Sequence, residues 1–213
     1  MKIAVIDYGM GNLRSVTHAL EHVAPEHQII LSGDPAVIAA ADKVVFPGQG
    51  AMRDCMRELD NRGLREAVLA SAREKPFLGI CVGAQLLFEI SEEGGRSQAL
   101  GVFAGEVLRF PQARMQQGDT RLKVPHMGWN EVRQSRSHPL WDGIADGERF
   151  YFVHSYYMQP VDKGLTVGES DYPFGFTVAV ARANIFATQF HPEKSHAAGL
   201  RLLANFVAWD GAA

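Results

Sequence analysis

Short apolar runs and helix-spaced apolar residues alternate along the first half of the chain, and no other feature restricts its fold as tightly. Residues 2–7 read as a strand, and Leu13, Val16, Leu20 and Val23 then recur on one helical face. Residues 29–31, 44–46 and 77–80 are three further apolar runs, short enough for buried strands. Alternation of this kind argues for an α/β fold with a mostly parallel central sheet flanked by helices. The second half changes character. Residues 102–108, 122–124, 149–153, 165–168 and 176–181 all read as strands with few helix signals between them. They predict a smaller, partly antiparallel sheet, followed by a last helix whose Leu200, Leu203 and Val207 face the core.

With 213 residues the chain is long enough to bury a full core, and 1–213 reads as a single domain without repeats or linkers. A net charge of −3 offers no basic stripe for nucleic acid. No apolar run approaches the roughly 20 residues of a membrane span, and the first residues are too short and strand-like for a signal peptide. Two cysteines far apart do not form a disulfide framework, so a reducing, cytoplasmic setting is expected.

The densest local signal is Gly79-Ile80-Cys81-Val82-Gly83-Ala84-Gln85. Apolar Pro76-Phe77-Leu78 precedes it, and the helix-forming Gln85-Leu86-Leu87-Phe88-Glu89 follows. Gly-x-Cys-x-Gly between a strand and a helix is the cysteine form of a nucleophile elbow, with glycines where the turn leaves no room for side chains. A sulfur there lies at a helix N-terminus, where negative charge is favoured. The plain alternative is a buried core cysteine. Cys55, in Met52-Arg53-Asp54-Cys55-Met56-Arg57-Glu58, has no acid–base partner in sight and reads as structural.

Near the other end, residues 184–190 alternate as a strand and lead into His191-Pro192-Glu193. Residues two apart in extended chain share a side, and Pro192 biases His191 towards that conformation. Imidazole and carboxylate then project together, so that Glu193 orients His191 and His191 acts as base for Cys81. A surface histidine and a helix-capping carboxylate are the bland counterpart. Residues 42–46 form another strand, and Pro47-Gly48-Gln49-Gly50 follows it. A glycine-bearing segment at that place can present backbone N–H groups to an oxyanion, although Pro and Gly also mark plain turns.

Pro47-Gly48-Gln49-Gly50, the elbow at Cys81 and His191-Pro192-Glu193, in that order, resemble the class I (triad-type) glutamine amidotransferases. The resemblance implies their flavodoxin-like fold and glutamine hydrolysis by Cys81, His191 and Glu193. It places the oxyanion donors at Gly48, Gln49, Gly50 and Val82. It also implies glutamine contacts at Gln85, Ser155 and Tyr156, and at Glu93, which reads equally well as a solvated helix end. His154 reads as a core histidine.

Asp7-Tyr8-Gly9-Met10-Gly11-Asn12-Leu13-Arg14-Ser15-Val16, Pro125-His126-Met127-Gly128-Trp129-Asn130 and His191-Pro192-Glu193-Lys194-Ser195 look like the histidine-pathway branch of that family. Ala84, where relatives often carry Met, is a small departure. That branch implies a (βα)8-barrel cyclase as partner in a heterodimer, met through Asn12, Met127, Trp129 and Lys194; a core position is the alternative for Trp129. A related barrel in surface-sugar synthesis, or a non-catalytic role on a barrel enzyme, stays open at this point. No cofactor is expected, and His126, His138, His154 and His191 lack paired ligand spacing for a metal.

Overall fold

The structure is a computed structural model and describes residues 1–212. Strands β1 (Lys2–Ile6), β2 (Gln28–Ser32), β3 (Lys43–Gly48) and β4 (Phe77–Cys81) run parallel in the order β2-β1-β3-β4. The late strand Ile185–Thr188 adds to β4, also parallel. Every residue of β3, β4 and Ile185–Thr188 is buried, as is Ile3 to Ile6 in β1, so these strands are covered on both faces. Their unbroken apolar runs follow from that coverage. Helix α1 (Leu13–Val23) packs beside the last helix, His196–Ala208, while Pro35–Ala39 packs beside Arg65–Glu74. The buried Lys43 ammonium donates to the carbonyls of Phe206, Val207 and Trp209, satisfying the C-terminal end of the last helix.

The antiparallel strands are not a detached layer. Gly175–Arg182 pairs antiparallel with Ile185–Thr188, with Val180 opposite Ala187, and so continues the central sheet. Tyr156–Pro160, Phe103–Arg109, Phe88–Ser91 and Ser97–Gln98 extend it further. Thr166–Asp171 carries the hairpin of His126–Gln134 and Glu148–His154 off to the side.

Two expectations need correction. The stretch 85–89 is not a helix continuing from the elbow: the helix is the single turn Val82–Gln85, and Phe88–Ser91 is a strand paired with Phe103–Arg109. Burial of Phe88 against Phe103 outweighs the helical preference of these residues. Residues 122–124 form no strand; a hairpin of Gln116–Gln117 and Thr120–Arg121 ends just before them. Pro125 follows directly and has no N–H for a ladder. In the last helix the expected trio does face the core: Leu203 is fully buried, and Leu200 and Val207 are half-buried and packed against it, beside the buried Gly199, Leu202 and Phe206.

Candidate active site

Parallel pairing of β3 with β4 sets Gly48 beside Cys81 at the C-terminal end of the sheet. Cys81 closes β4 with φ +55° and ψ −114°, a left-handed conformation that is strained for any residue with a side chain. The elbow exists because β3 and the turn touch backbone to backbone. A Cβ on Gly83 would collide with the Phe46 carbonyl oxygen, and one on Gly48 would stand 2.6 Å from the Gly83 nitrogen. Those glycines therefore fix how closely the Gly48-Gln49-Gly50 segment approaches the sulfur. Val82 is the first helical residue, so its N–H has no partner within the helix. Gly50 has φ +100°, and a side chain there would meet Met10.

His191 follows the neighbouring strand, and its Nδ1 lies 2.8 Å from Glu193 Oε1 with both side chains buried. Glu193 accepts from Nδ1–H, which leaves Nε2 free towards Cys81. Burial opposes a charged imidazole, but the charge of Cys81 and the hydrogen-bonded Glu193 carboxylate together push the His191 pKa up to about 10. Ser195 completes the mount. Its hydroxyl donates to the His191 carbonyl at 2.6 Å and accepts from Tyr151 N–H at 3.0 Å, while His191 N–H donates to the Tyr151 carbonyl at 2.9 Å. The imidazole is thus tied to the strand Glu148–His154 as well as to its own.

Cys81, His191, Gln49, Gly50, Val82, Gln85, Glu93, Ser155, Tyr156 and Lys194 line one cavity of about 260 Å³. A larger cleft of about 670 Å³ lies on the antiparallel extension near Arg136, Lys163 and Glu169, without a histidine or cysteine in its wall. Gln85 is buried, and its amide nitrogen donates to Gln189 Oε1 at 2.9 Å and to the Tyr156 carbonyl at 3.2 Å. Glu93 is half-buried rather than a solvated helix end. Its Oε2 accepts from Met52 N–H at 2.6 Å, and burial raises its pKa, the Met52 bond opposing. Cys55 is buried in the Met52–Asn61 helix; its thiol donates to the Gln49 carbonyl at 3.5 Å, and burial pushes its pKa up to about 11. A thiol so held is a poor nucleophile.

Two neighbours escaped the sequence reading. Gln189 is fully buried, with Nε2 3.9 Å from Cys81 Sγ. It stands two residues before His191, the same spacing that paired His191 with Glu193. His126 meets His154 across the hairpin, where the two are register partners; nothing local in either segment announces that pairing. Among the described residues no group of three His, Cys, Asp or Glu could hold a metal ion.

Of the four residues expected at a partner face, Met127, Trp129 and Lys194 are exposed and Asn12 is half-buried. Met127 and Trp129 point outward from the His126–Gln134 strand and are 62% and 43% exposed, so Trp129 is not a core residue. Trp129 stacks flat on His196, with centroids 4.9 Å apart. Lys194 is exposed next to it, its ammonium 5.9 Å from the Tyr151 ring centre. Asn12 precedes α1, which packs against the Pro192–Lys194 turn.

A thiol on a strained elbow sharing a cavity with a carboxylate-held imidazole, with backbone donors alongside, defines an acyl-transfer site. The model of the family "Glutamine amidotransferase class-I" matches residues 4–209, and the chain belongs to that family. Within it, the chain is similar to proteins named imidazole glycerol phosphate synthase subunit HisH. That of Dechloromonas aromatica is 68% identical over 98% of this chain and 96% of its own length. That of Aromatoleum aromaticum is 65% identical over 97% and 98%. Among solved structures, a GMP synthase component from Thermoplasma acidophilum superposes with a TM-score of 0.71 at 20% identity, covering 98% of this chain and 92% of that one. PurLQS from Thermotoga maritima gives 0.72 at 17% identity, covering 97% of each chain. Both share the fold.

Proposed function

We propose that this chain is the glutaminase subunit of an imidazole glycerol phosphate synthase, hydrolysing glutamine and passing ammonia to a cyclase subunit in histidine biosynthesis. The observation that carries the chemistry is that Cys81 and His191, the latter held by Glu193 behind it, line one small cavity. The kinship to HisH subunits supports the pathway. His191 takes the thiol proton, and Cys81 Sγ attacks the side-chain carbonyl carbon of glutamine. The oxyanion that forms is met by Val82 N–H and by the Gly48-Gln49-Gly50 backbone. His191 returns the proton to the departing nitrogen, leaving ammonia and a thioester. Water deprotonated by the same imidazole then cleaves the thioester to glutamate and free thiol. Gln85, Glu93, Ser155 and Tyr156 frame the amino-acid end of the substrate.

The cyclase is a (βα)8 barrel docking on Asn12, Met127, Trp129 and Lys194, and ammonia crosses it to the ring-closing site. Residues 1–213 act as one domain in the cytoplasm. Basal glutaminase activity of the isolated chain is expected to be low, because a peptide in Gly48-Gln49-Gly50 can turn its N–H away from the oxyanion. Losing one such donor lowers turnover by roughly two to three powers of ten. Glutamate release is measured for the isolated chain, with the cyclase, and with the cyclase plus its nucleotide ligand. A stepwise rise supports the reading; full turnover by the isolated chain removes the switch, and no turnover in any arm removes the glutaminase.

A further inference from the structure

We propose that His126 and His154 form a proton-ordered pair that positions the Ser155–Tyr156 wall of the cavity, making them positioning residues for glutamine binding. The Tyr156 carbonyl can only accept a hydrogen bond. His154 Nδ1 lies 2.7 Å from it and therefore carries the proton. A neutral imidazole has only one N–H, so His154 Nε2 is a bare acceptor. His126 Nδ1 stands 2.9 Å from that lone pair and must donate to it. That in turn leaves His126 Nε2 as acceptor, and the Asn130 amide nitrogen is 3.4 Å away while donating to the Asp171 carbonyl at 2.9 Å. One backbone oxygen thus dictates both tautomers.

Burial holds both rings neutral, lowering the pKa of His126 to about 4 and that of His154 to about 3. Packing fixes their planes: His126 stacks on Tyr172 at 4.0 Å and on Phe152 at 5.0 Å, and Phe110 stands edge-on to His154 at 5.2 Å.

The consequence falls on Tyr156. Its carbonyl takes His154 Nδ1–H from one side and Gln85 Nε2 from the other, and Gln85 continues through Gln189 to Cys81. The Tyr156–Tyr157 peptide is thereby held from two sides, directly after the cavity-lining Ser155. His126 and Asn130 reach it from the inner face of the very strand whose outer face carries Met127 and Trp129.

This inference rests on the cavity being the glutamine site, and the experiment separates the two. Glutamate release is measured on the complex with its cyclase for the wild type, H126F and H126N. Phenylalanine keeps the ring stack but leaves His154 Nε2 unpaired; asparagine restores an N–H donor near the Nδ1 position. H126F is expected to raise KM for glutamine about tenfold with kcat within about twofold, in line with one buried acceptor left unsatisfied, and H126N to recover most of the loss. Equal KM in all three, or a loss confined to kcat, overturns the positioning role. A wild type that hydrolyses no glutamine instead overturns the functional reading. Should H126F fail to fold, the wild-type arm still decides the proton order. Nitrogen-15 spectra of histidine-labelled protein are expected to show both rings protonated at Nδ1, and Nε2–H on either ring refutes it.

Discussion

The five parallel strands and the antiparallel strands beyond them reach the same cavity by different means. From the parallel side come groups held by backbone geometry. Cys81 sits in a strained turn, Gly48 and Gly83 are in backbone contact, and His191 follows a fully buried strand. From the antiparallel side come groups held by side-chain hydrogen bonds: Tyr156 through His154 and Gln85, and His191's outer tether through Ser195 and Tyr151. Backbone placement suits atoms that must attack or stabilise charge within tenths of an ångström. Side-chain networks suit a wall that must adjust to a ligand. The contrast expects kcat effects from the parallel side and KM effects from the antiparallel one.

The strongest test is C81A. Glutamine-dependent turnover by the complex should fall by about 10⁴ or more, whereas synthesis from added ammonia stays near normal. Equal loss of both activities would show that the cysteine holds the structure rather than the chemistry. E193Q, which keeps the shape but weakens the hold on His191 Nδ1–H, should lower kcat by about 10² with little change in KM; a pure KM effect would erase the division between the two sides.

Stability should report the buried neutral histidines. His126, His138 and His154 are all lowered from 6.5 by burial, to about 4, about 4 and about 3. Depressed bases bind fewer protons folded than unfolded, so their contribution is complete above pH 6.5 and is lost as pH falls towards 4. Urea midpoints at pH 7 and pH 5 should differ by a stability on the order of several kcal/mol. H154Q should remove about a third of that dependence, one of its three histidines, and an unchanged slope would mean that His154 is not held neutral in the folded chain. The smallest effect belongs to C55S, expected to leave kcat within about twofold because its hydroxyl can still donate to the Gln49 carbonyl. A loss like that of C81A would identify the wrong thiol as reactive.

What the sequence disclosed follows from how local each signal is. The elbow at Cys81 and the His191-Pro192-Glu193 turn are each defined within a few residues, so spacing alone specified them. The parallel strands were visible because burial on both faces writes an unbroken apolar run. Phe88–Ser91 was misread because its partner strand begins at Phe103, and propensity has no knowledge of partners. Gln189 lay on a legible strand but carries an uncharged amide, which looks like any buried polar residue until its neighbours are known. His126 and His154 are 28 positions apart and meet only because a hairpin register sets them opposite one another.

The position of Ile185–Thr188 has a bearing on how the molecule is made. This strand leaves the ribosome more than a hundred residues after β4, yet it belongs in the interior of the sheet, between β4 and Gly175–Arg182. Until it arrives, a nascent chain carries β4 as an open edge, and pairing there must wait on contacts more than a hundred residues apart in sequence. The base that arms Cys81 is three residues beyond that strand. An unfinished or truncated chain therefore bears a thiol with no imidazole to take its proton, and hydrolytic power appears only at the step that closes the sheet.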